Sequence, residues 1–150
     1  MSGDQAMRDL ATSLPVPEFD HTEFTKPPEL ADARVAIVTS AALHRAGDDG
    51  FAPGDTSYRS FPSDARDLVL GHWSPNFDRS GFTIDINVVY PIDRLVELEE
   101  QGVIGSVAAR HYAFAGNQPD DVATIRLDSG PAAAEELKAD GVDVVLLTPV

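Results

Sequence analysis

A chain of 150 residues that is 43% hydrophobic can bury one core of ordinary size, so its length points to a single domain. Its formal net charge of -14, with no cluster of Lys and Arg able to release counterions from a phosphate backbone, argues against nucleic acid and against an anionic membrane surface as partners. The absence of cysteine removes any disulfide, thiolate metal site or thiol redox couple from these residues.

Residues 1–12, MSGDQAMRDLAT, lack the apolar region of a signal peptide, and no later run approaches the roughly 18 apolar residues of a membrane span. The expectation is a soluble cytoplasmic protein with no membrane partner. Residues 14–30, LPVPEFDHTEFTKPPEL, carry four of the eleven prolines and no helical period. They predict an extended N-terminal arm over residues 1–30, followed by an α/β domain over 31–150. The β-branched run ARVAIVTS, residues 33–40, predicts the first buried strand, with the Gly/Asp-rich stretch AALHRAGDDGFAPGD as a loop at its carboxyl end. In SYRSFP the alternation of Tyr58 and Ser60 against Arg59 and Phe61 fits a half-exposed edge strand. DLVLGHWSPNFDRSGF begins as a strand and becomes a long loop around His72, Trp73 and Asp78.

Ile86, Val88 and Val89 predict a further strand. Pro91 then suits a first helical turn, and Ile92, Leu95, Val96 and Leu98 form one apolar stripe. Asp93 favours the start of that helix and Gly102 supplies the left-handed residue that stops it. Pro131 and Gly141 bracket a second helix in the same way. After it, residues 142–147 form a nearly continuous apolar run, the pattern of a parallel strand covered on both faces. Helix, glycine and apolar strand in succession predict a single three-layer α/β domain with a mostly parallel sheet, incomplete at the C-terminus because nothing follows to cover the last strand.

No G-x-G-x-x-G, Walker loop, G-x-S-x-G or H-E-x-x-H occurs, and no two histidines have metal-ligand spacing, so no metal site is expected. Arg110, His111 and Tyr112 stand together in SVAARHYAFAG. An Arg fork there can bind a substrate carboxylate while the ring groups exchange protons, and a rim strand with a packed tyrosine and histidine fits the residues equally well. Asp85 and Asn87 fall on one face of the predicted strand, with Asp93 at the helix start.

The blocks KPPELADARVAIVTSAALH, DINVVYPIDRL, GVIGSVAARHYAFAG and GVDVVLLTPV, in this order and spacing, resemble the selenoprotein B family of glycine, sarcosine and betaine reductases and D-proline reductase, most of all its short D-proline-reductase-like branch. The resemblance spans residues 26–150. It implies an oxidoreductase acting on CH–NH donors with a disulfide acceptor, which reductively cleaves a carbon–nitrogen bond of a small amino-acid-like substrate. In the family a pyruvoyl group on a partner subunit captures the substrate amine, a selenolate attacks the activated α-carbon, and a dithiol reductant restores the redox residue. A selenol suits that step because it is ionised at neutral pH, and the ionised form is the nucleophile.

The family strand matching residues 142–147 leads into a loop bearing selenocysteine or cysteine. Because selenocysteine is encoded by UGA, which is also read as a stop, the resemblance implies such a residue immediately after Val150. It implies no catalytic residue and no bound cofactor within these 150 residues, which alone are expected to be inactive. Supporting roles fall by placement on Thr148, just before that loop, and on Ser40 and His44, after the first strand at the same sheet edge. His111 and Tyr112 are then candidates for proton transfer or orientation, and Arg110 for a carboxylate. The alternative is a redox-inactive α/β binding or regulatory subunit that kept the pocket and lost the nucleophile.

Overall fold

The computed structural model describes residues 3–13, 25–74, 79–116, 118 and 122–150; the predicted loop residue Asp78 lies outside them. In chain order the elements are α1 (Gly3–Ser13), β1 (Arg34–Thr39), β2 (Leu43–Arg45), β3 (Tyr58–Pro62), β4 (Leu68–Leu70), α2 (Ser80–Ile84), α3 (Ile92–Glu100), β5 (Ser106–Val107), β6 (Arg110–Phe114), α4 (Gly130–Ala139) and β7 (Val144–Thr148). Helix α1 falls inside the stretch that the sequence assigns to an extended arm. The prolines that disfavour helix begin only at Pro15, and Gln5 Nε2 reaches Asp9 one turn on at 2.9 Å.

Strand β1 organises the main sheet. Parallel β7 pairs along one whole edge of it, from Val35 opposite Val144 to Thr39 opposite Thr148. Its other edge is divided between parallel β5, at Arg34 and Val35, and parallel β6, at Val38 and Thr39. Antiparallel β3 closes the far side of β6, as the alternation in SYRSFP predicts, while β2 and β4 form a separate antiparallel ribbon.

Because side chains alternate across a strand, β1 feeds two cores. Val35 and Ile37 pack with Ile92 and Leu95 of α3 and with Phe61, Val89, Tyr90 and Ile104. Ala36 and Val38 pack with Ala133 and Leu137 of α4 and with Tyr112. The result is the expected α/β arrangement, with α3 and α4 on opposite faces of a mostly parallel sheet. Both helices end as their glycines predict, Gly102 and Gly141 standing at φ +70° and +69°.

Three further expectations change. Residues Ile86–Val88 form a 3-10 turn instead of a strand, because the Asp85 carboxylate accepts the Asn87 N–H at 2.9 Å and closes a local turn that competes with extended backbone. Asn87 then bonds Asp93 through both its amide nitrogen and its oxygen, at 2.9 and 3.0 Å, and so caps α3. His44 stands on β2, not in a loop. Strand β7 forms where expected but is not buried: Leu146 is 38% and Leu147 67% exposed, since β1 is its one strand partner among the described residues and α4 covers only the neighbouring strands.

Candidate functional site

Parallel pairing brings the carboxyl ends of β1 and β7 to one place, and hydroxyl side chains tie them together there. Thr39 Oγ1 donates to Thr148 O at 3.2 Å, the Ser40 N–H donates to the same carbonyl at 3.3 Å, and Thr148 Oγ1 donates to Val89 O at 2.9 Å. Ser40 Oγ accepts the Val150 N–H at 2.9 Å and donates to Val150 O at 3.1 Å. One serine hydroxyl thus holds both main-chain groups of the residue that leaves β7.

His72 completes this cradle. It is buried, and its Nδ1 accepts the Ser74 N–H at 3.1 Å, so the neutral ring carries its proton on Nε2. Gly116 lies against that nitrogen: a Cβ on Gly116 would stand 2.2 Å from His72 Nε2 and 2.8 Å from Ser40 O. Burial lowers the His72 pKa, the Val150 main chain opposes the shift, and the Arg79 charge adds to it. The ring is therefore neutral near pH 7. Its loop is tethered by Arg79 Nη2, which donates to His72 O at 2.6 Å, and by Trp73 Nε1, which donates to Phe51 O at 2.7 Å. Val38, Phe114, Leu147 and Pro149 line an apolar hollow at the same edge, beside Thr39, Ser40 and Thr148.

Of the residues expected to support a site, Ser40 and Thr148 meet here. His44 does not join them, because its Nδ1 is taken by Ala42 O at 3.1 Å and its ring packs edge-on to Phe51. The adjacent trio separates by strand alternation. Arg110 grips Asp140 with two bonds of 2.8 and 2.9 Å and reaches Glu136 at 3.3 Å, so its fork is occupied by α4 and its terminus instead of offered to a substrate. Tyr112 Oη also donates to Glu136, at 3.2 Å. His111 turns to the opposite face, where it is buried and its Nδ1 accepts the Ile37 N–H at 2.9 Å.

His72 is the residue that sequence reasoning passed over. Its signal was a histidine in a long loop, but its partners Gly116 and Val150 carry no local mark. Chemically the edge can hold and orient main chain. Ser40 and Thr148 spend their hydroxyl protons on carbonyls, so neither is arranged as a nucleophile beside a base. No group of three His, Cys, Asp or Glu residues among the described residues is placed to hold a metal ion, and no described helix is long and apolar enough to cross a membrane.

Residues 5–150 match the sequence profile of the family described as glycine/sarcosine/betaine reductase selenoprotein B. The D-proline reductase subunit gamma of Acetoanaerobium sticklandii is 37% identical over 80% of this chain and 50% of its own. Glycine reductase complex component B subunit gamma of Carboxydothermus hydrogenoformans is 31% identical over 91% of this chain and 33% of its own. Betaine reductase complex component B subunit beta of Peptoclostridium acidaminophilum is 27% identical over 91% of this chain and 32% of its own. The chain thus spans a third to a half of the length of these relatives. No solved structure matches it significantly. With nearly the whole chain matched, in the order of blocks that the sequence displays, this protein belongs to the glycine/sarcosine/betaine reductase selenoprotein B family.

Proposed function

We propose that these residues form part of a reductase-complex subunit whose complex reductively cleaves a carbon–nitrogen bond of a small substrate of the glycine, sarcosine, betaine or D-proline type. Their task in it is to fix the main chain that leaves β7. The observation that carries this reading is the Val150 cradle, in which Ser40 Oγ holds both main-chain groups of Val150. In open α/β sheets ligand chemistry lies beyond the carboxyl ends of the parallel strands, which is where the cradle stands.

With no cysteine among the 150 residues, the selenol or thiol nucleophile stands outside them in this reading, in chain continuing from the cradle. A pyruvoyl group on a partner subunit supplies the capture of the substrate amine, and a dithiol reductant supplies the electrons. Thr39, Ser40, Thr148 and His72 restrict where the incoming redox residue can sit, which lowers the entropy lost on reaching an attack geometry. His44, Arg110, His111 and Tyr112 act as supports of the fold around that edge.

Reading the nucleotides after the Val150 codon tests the proposal. A UGA or cysteine codon soon after it, followed by further coding sequence, is expected. Another stop codon with nothing coding beyond would overturn the reading in favour of a redox-inactive binding or regulatory subunit. In the purified complex, Ser40→Ala is expected to lower kcat for substrate-dependent dithiol oxidation by about tenfold while KM holds. Unchanged kcat would remove the cradle from the chemistry.

A further inference from the structure

The chain holds two Asp–Gly peptides, Asp49–Gly50 and Asp140–Gly141, and the fold treats them oppositely. After an aspartate, a glycine nitrogen reaches the carboxyl carbon with least obstruction, because glycine carries no Cβ to block the approach. Attack there closes a succinimide ring.

At Asp140 both groups of that reaction are engaged. Arg110 Nε and Nη2 hold the carboxylate at 2.8 and 2.9 Å, and the Gly141 N–H donates to Lys138 O at 3.0 Å. The arginine also keeps the Asp140 carboxyl below its usual pKa, in the ionised form that resists attack. At Asp49 neither group is engaged. Asp49 and Gly50 are exposed, in neither helix nor strand, on the connection between β2 and β3. Among the described residues the Asp49 carboxylate makes no hydrogen bond or ion pair, and the Gly50 N–H has no acceptor. Arg59 grips the carbonyls instead: Nε donates to Asp49 O at 3.2 Å and Nη2 to Gly50 O at 3.1 Å. The first bond sets a cation on the peptide oxygen where charge gathers as the Gly50 nitrogen gives up its proton, which favours the nucleophile.

We propose that Asp49–Gly50 is a site of isoaspartyl formation and, through it, of enzymatic carboxyl methylation. The Gly50 nitrogen bonds to Asp49 Cγ, and its proton, one carboxylate oxygen and a solvent proton leave as water. Water then opens the ring. Opening at Cγ restores aspartate, whereas opening at the main-chain carbonyl runs the chain through the side chain and leaves a free α-carboxylate. That carboxylate is what an isoaspartyl methyltransferase esterifies with the methyl group of S-adenosylmethionine. The new link also lengthens the main chain just ahead of Phe51, which is buried, lies 4.4 Å from Arg59 Cζ and accepts Trp73 Nε1 at 2.7 Å. Trp73 is the single tryptophan, so its emission reports the change. No residue of the Val150 cradle takes part, and the inference stands apart from the proposed reductase function.

Ageing the purified protein at neutral pH, beside a sample unfolded in guanidinium, tests the proposal. Labelled S-adenosylmethionine and an isoaspartyl methyltransferase count the modified sites, and electron-transfer fragmentation of the peptides places them. In the folded protein Asp49 is expected to modify about tenfold faster than Asp140 or more, the factor set by breaking one charge-assisted bond there. In guanidinium the two rates are expected to converge. Asp49→Glu, which must close a larger ring, is expected to remove most of the methyl acceptance of the folded protein and to hold Trp73 emission steady through ageing. Absence of methyl acceptance at Asp49, equal rates at the two sites in the folded protein, or a gap that persists in guanidinium would each overturn the inference. Native-like labelling or native-like drift of Trp73 emission in Asp49→Glu would do the same.

Discussion

His111 gives the sharpest test of the packing on the α3 face. The main-chain N–H of Ile37 donates to its Nδ1 at 2.9 Å, and an N–H cannot accept, so the neutral ring must carry its proton on Nε2. Protonation would place a second donor against that N–H and a charge within a wall that includes the edge of the Tyr90 ring, centroids 5.4 Å apart. Burial lowers the His111 pKa from 6.5 to about 4. The folded value is below the unfolded one, so the unfolded chain binds the proton first. The His111 contribution is therefore complete above pH 6.5 and is lost as pH falls from there to about 4.

At about 1.4 kcal/mol per pH unit, the loss reaches roughly 3 kcal/mol, a large share of a stability on the order of 5–15 kcal/mol. Urea unfolding between about pH 7.5 and 4.5, on the native chain and on His111→Gln, isolates this term, because carboxylates common to both cancel in the difference. The native chain is expected to lose about 1.4 kcal/mol per unit more than the variant within the window. A native-minus-variant difference that does not change with pH would refute the buried, neutral assignment.

Gly116→Ala is expected to cost about 1–3 kcal/mol in the same unfolding assay, since its Cβ would stand 2.2 Å from His72 Nε2 and 2.8 Å from Ser40 O. Gly47→Ala, with open space around it, serves as the near-neutral control. Thr148→Val leaves Val89 O without its 2.9 Å donor and is expected to cost about 1 kcal/mol; an unaltered midpoint would show that the bond contributes nothing. Ser40→Ala is expected to speed amide hydrogen exchange at Val150, whose N–H it bonds, and unaltered exchange would contradict the cradle. Tyr58 is held at a pKa of about 12 by its 2.6 Å bond to Glu136, and Tyr112 at about 12 chiefly by burial. A near-ultraviolet titration should therefore show neither ionising at the ordinary value near 10, with Glu136→Gln bringing Tyr58 down toward it.

Much of the framework was legible because its signals are local. The run at residues 33–40 reads as a buried strand from composition, and Pro91, Gly102, Pro131 and Gly141 punctuate α3 and α4. The misread strand at Ile86–Val88 shows a side-chain bond from Asp85 defeating apolar β-propensity. In β7 the apolar run specifies extended backbone but not which strands flank it, so exposure at a sheet edge leaves no trace in composition. Arg110, His111 and Tyr112 invite grouping as neighbours, although period-two alternation already sends His111 to the opposite face. What no local reading supplies is that Asp140 and Glu136 wait for Arg110, or that His72, Gly116 and Val150 converge. Those are tertiary facts, set by how the strands order themselves in the sheet.

The register of β1 with β7 also has a bearing on how the chain is made. The two strands pair along their length at a separation of 109 residues, as between Thr39 and Thr148. At ribosomal speeds of about 5–20 residues per second, β1 emerges roughly 5–20 s before the strand that completes it. Throughout that interval the most buried strand of the sheet has at least one hydrogen-bonding edge open. Nascent-chain misassembly is therefore expected to concentrate on Val35 to Thr39, and a chaperone that holds this segment would act on the slowest pairing of the fold.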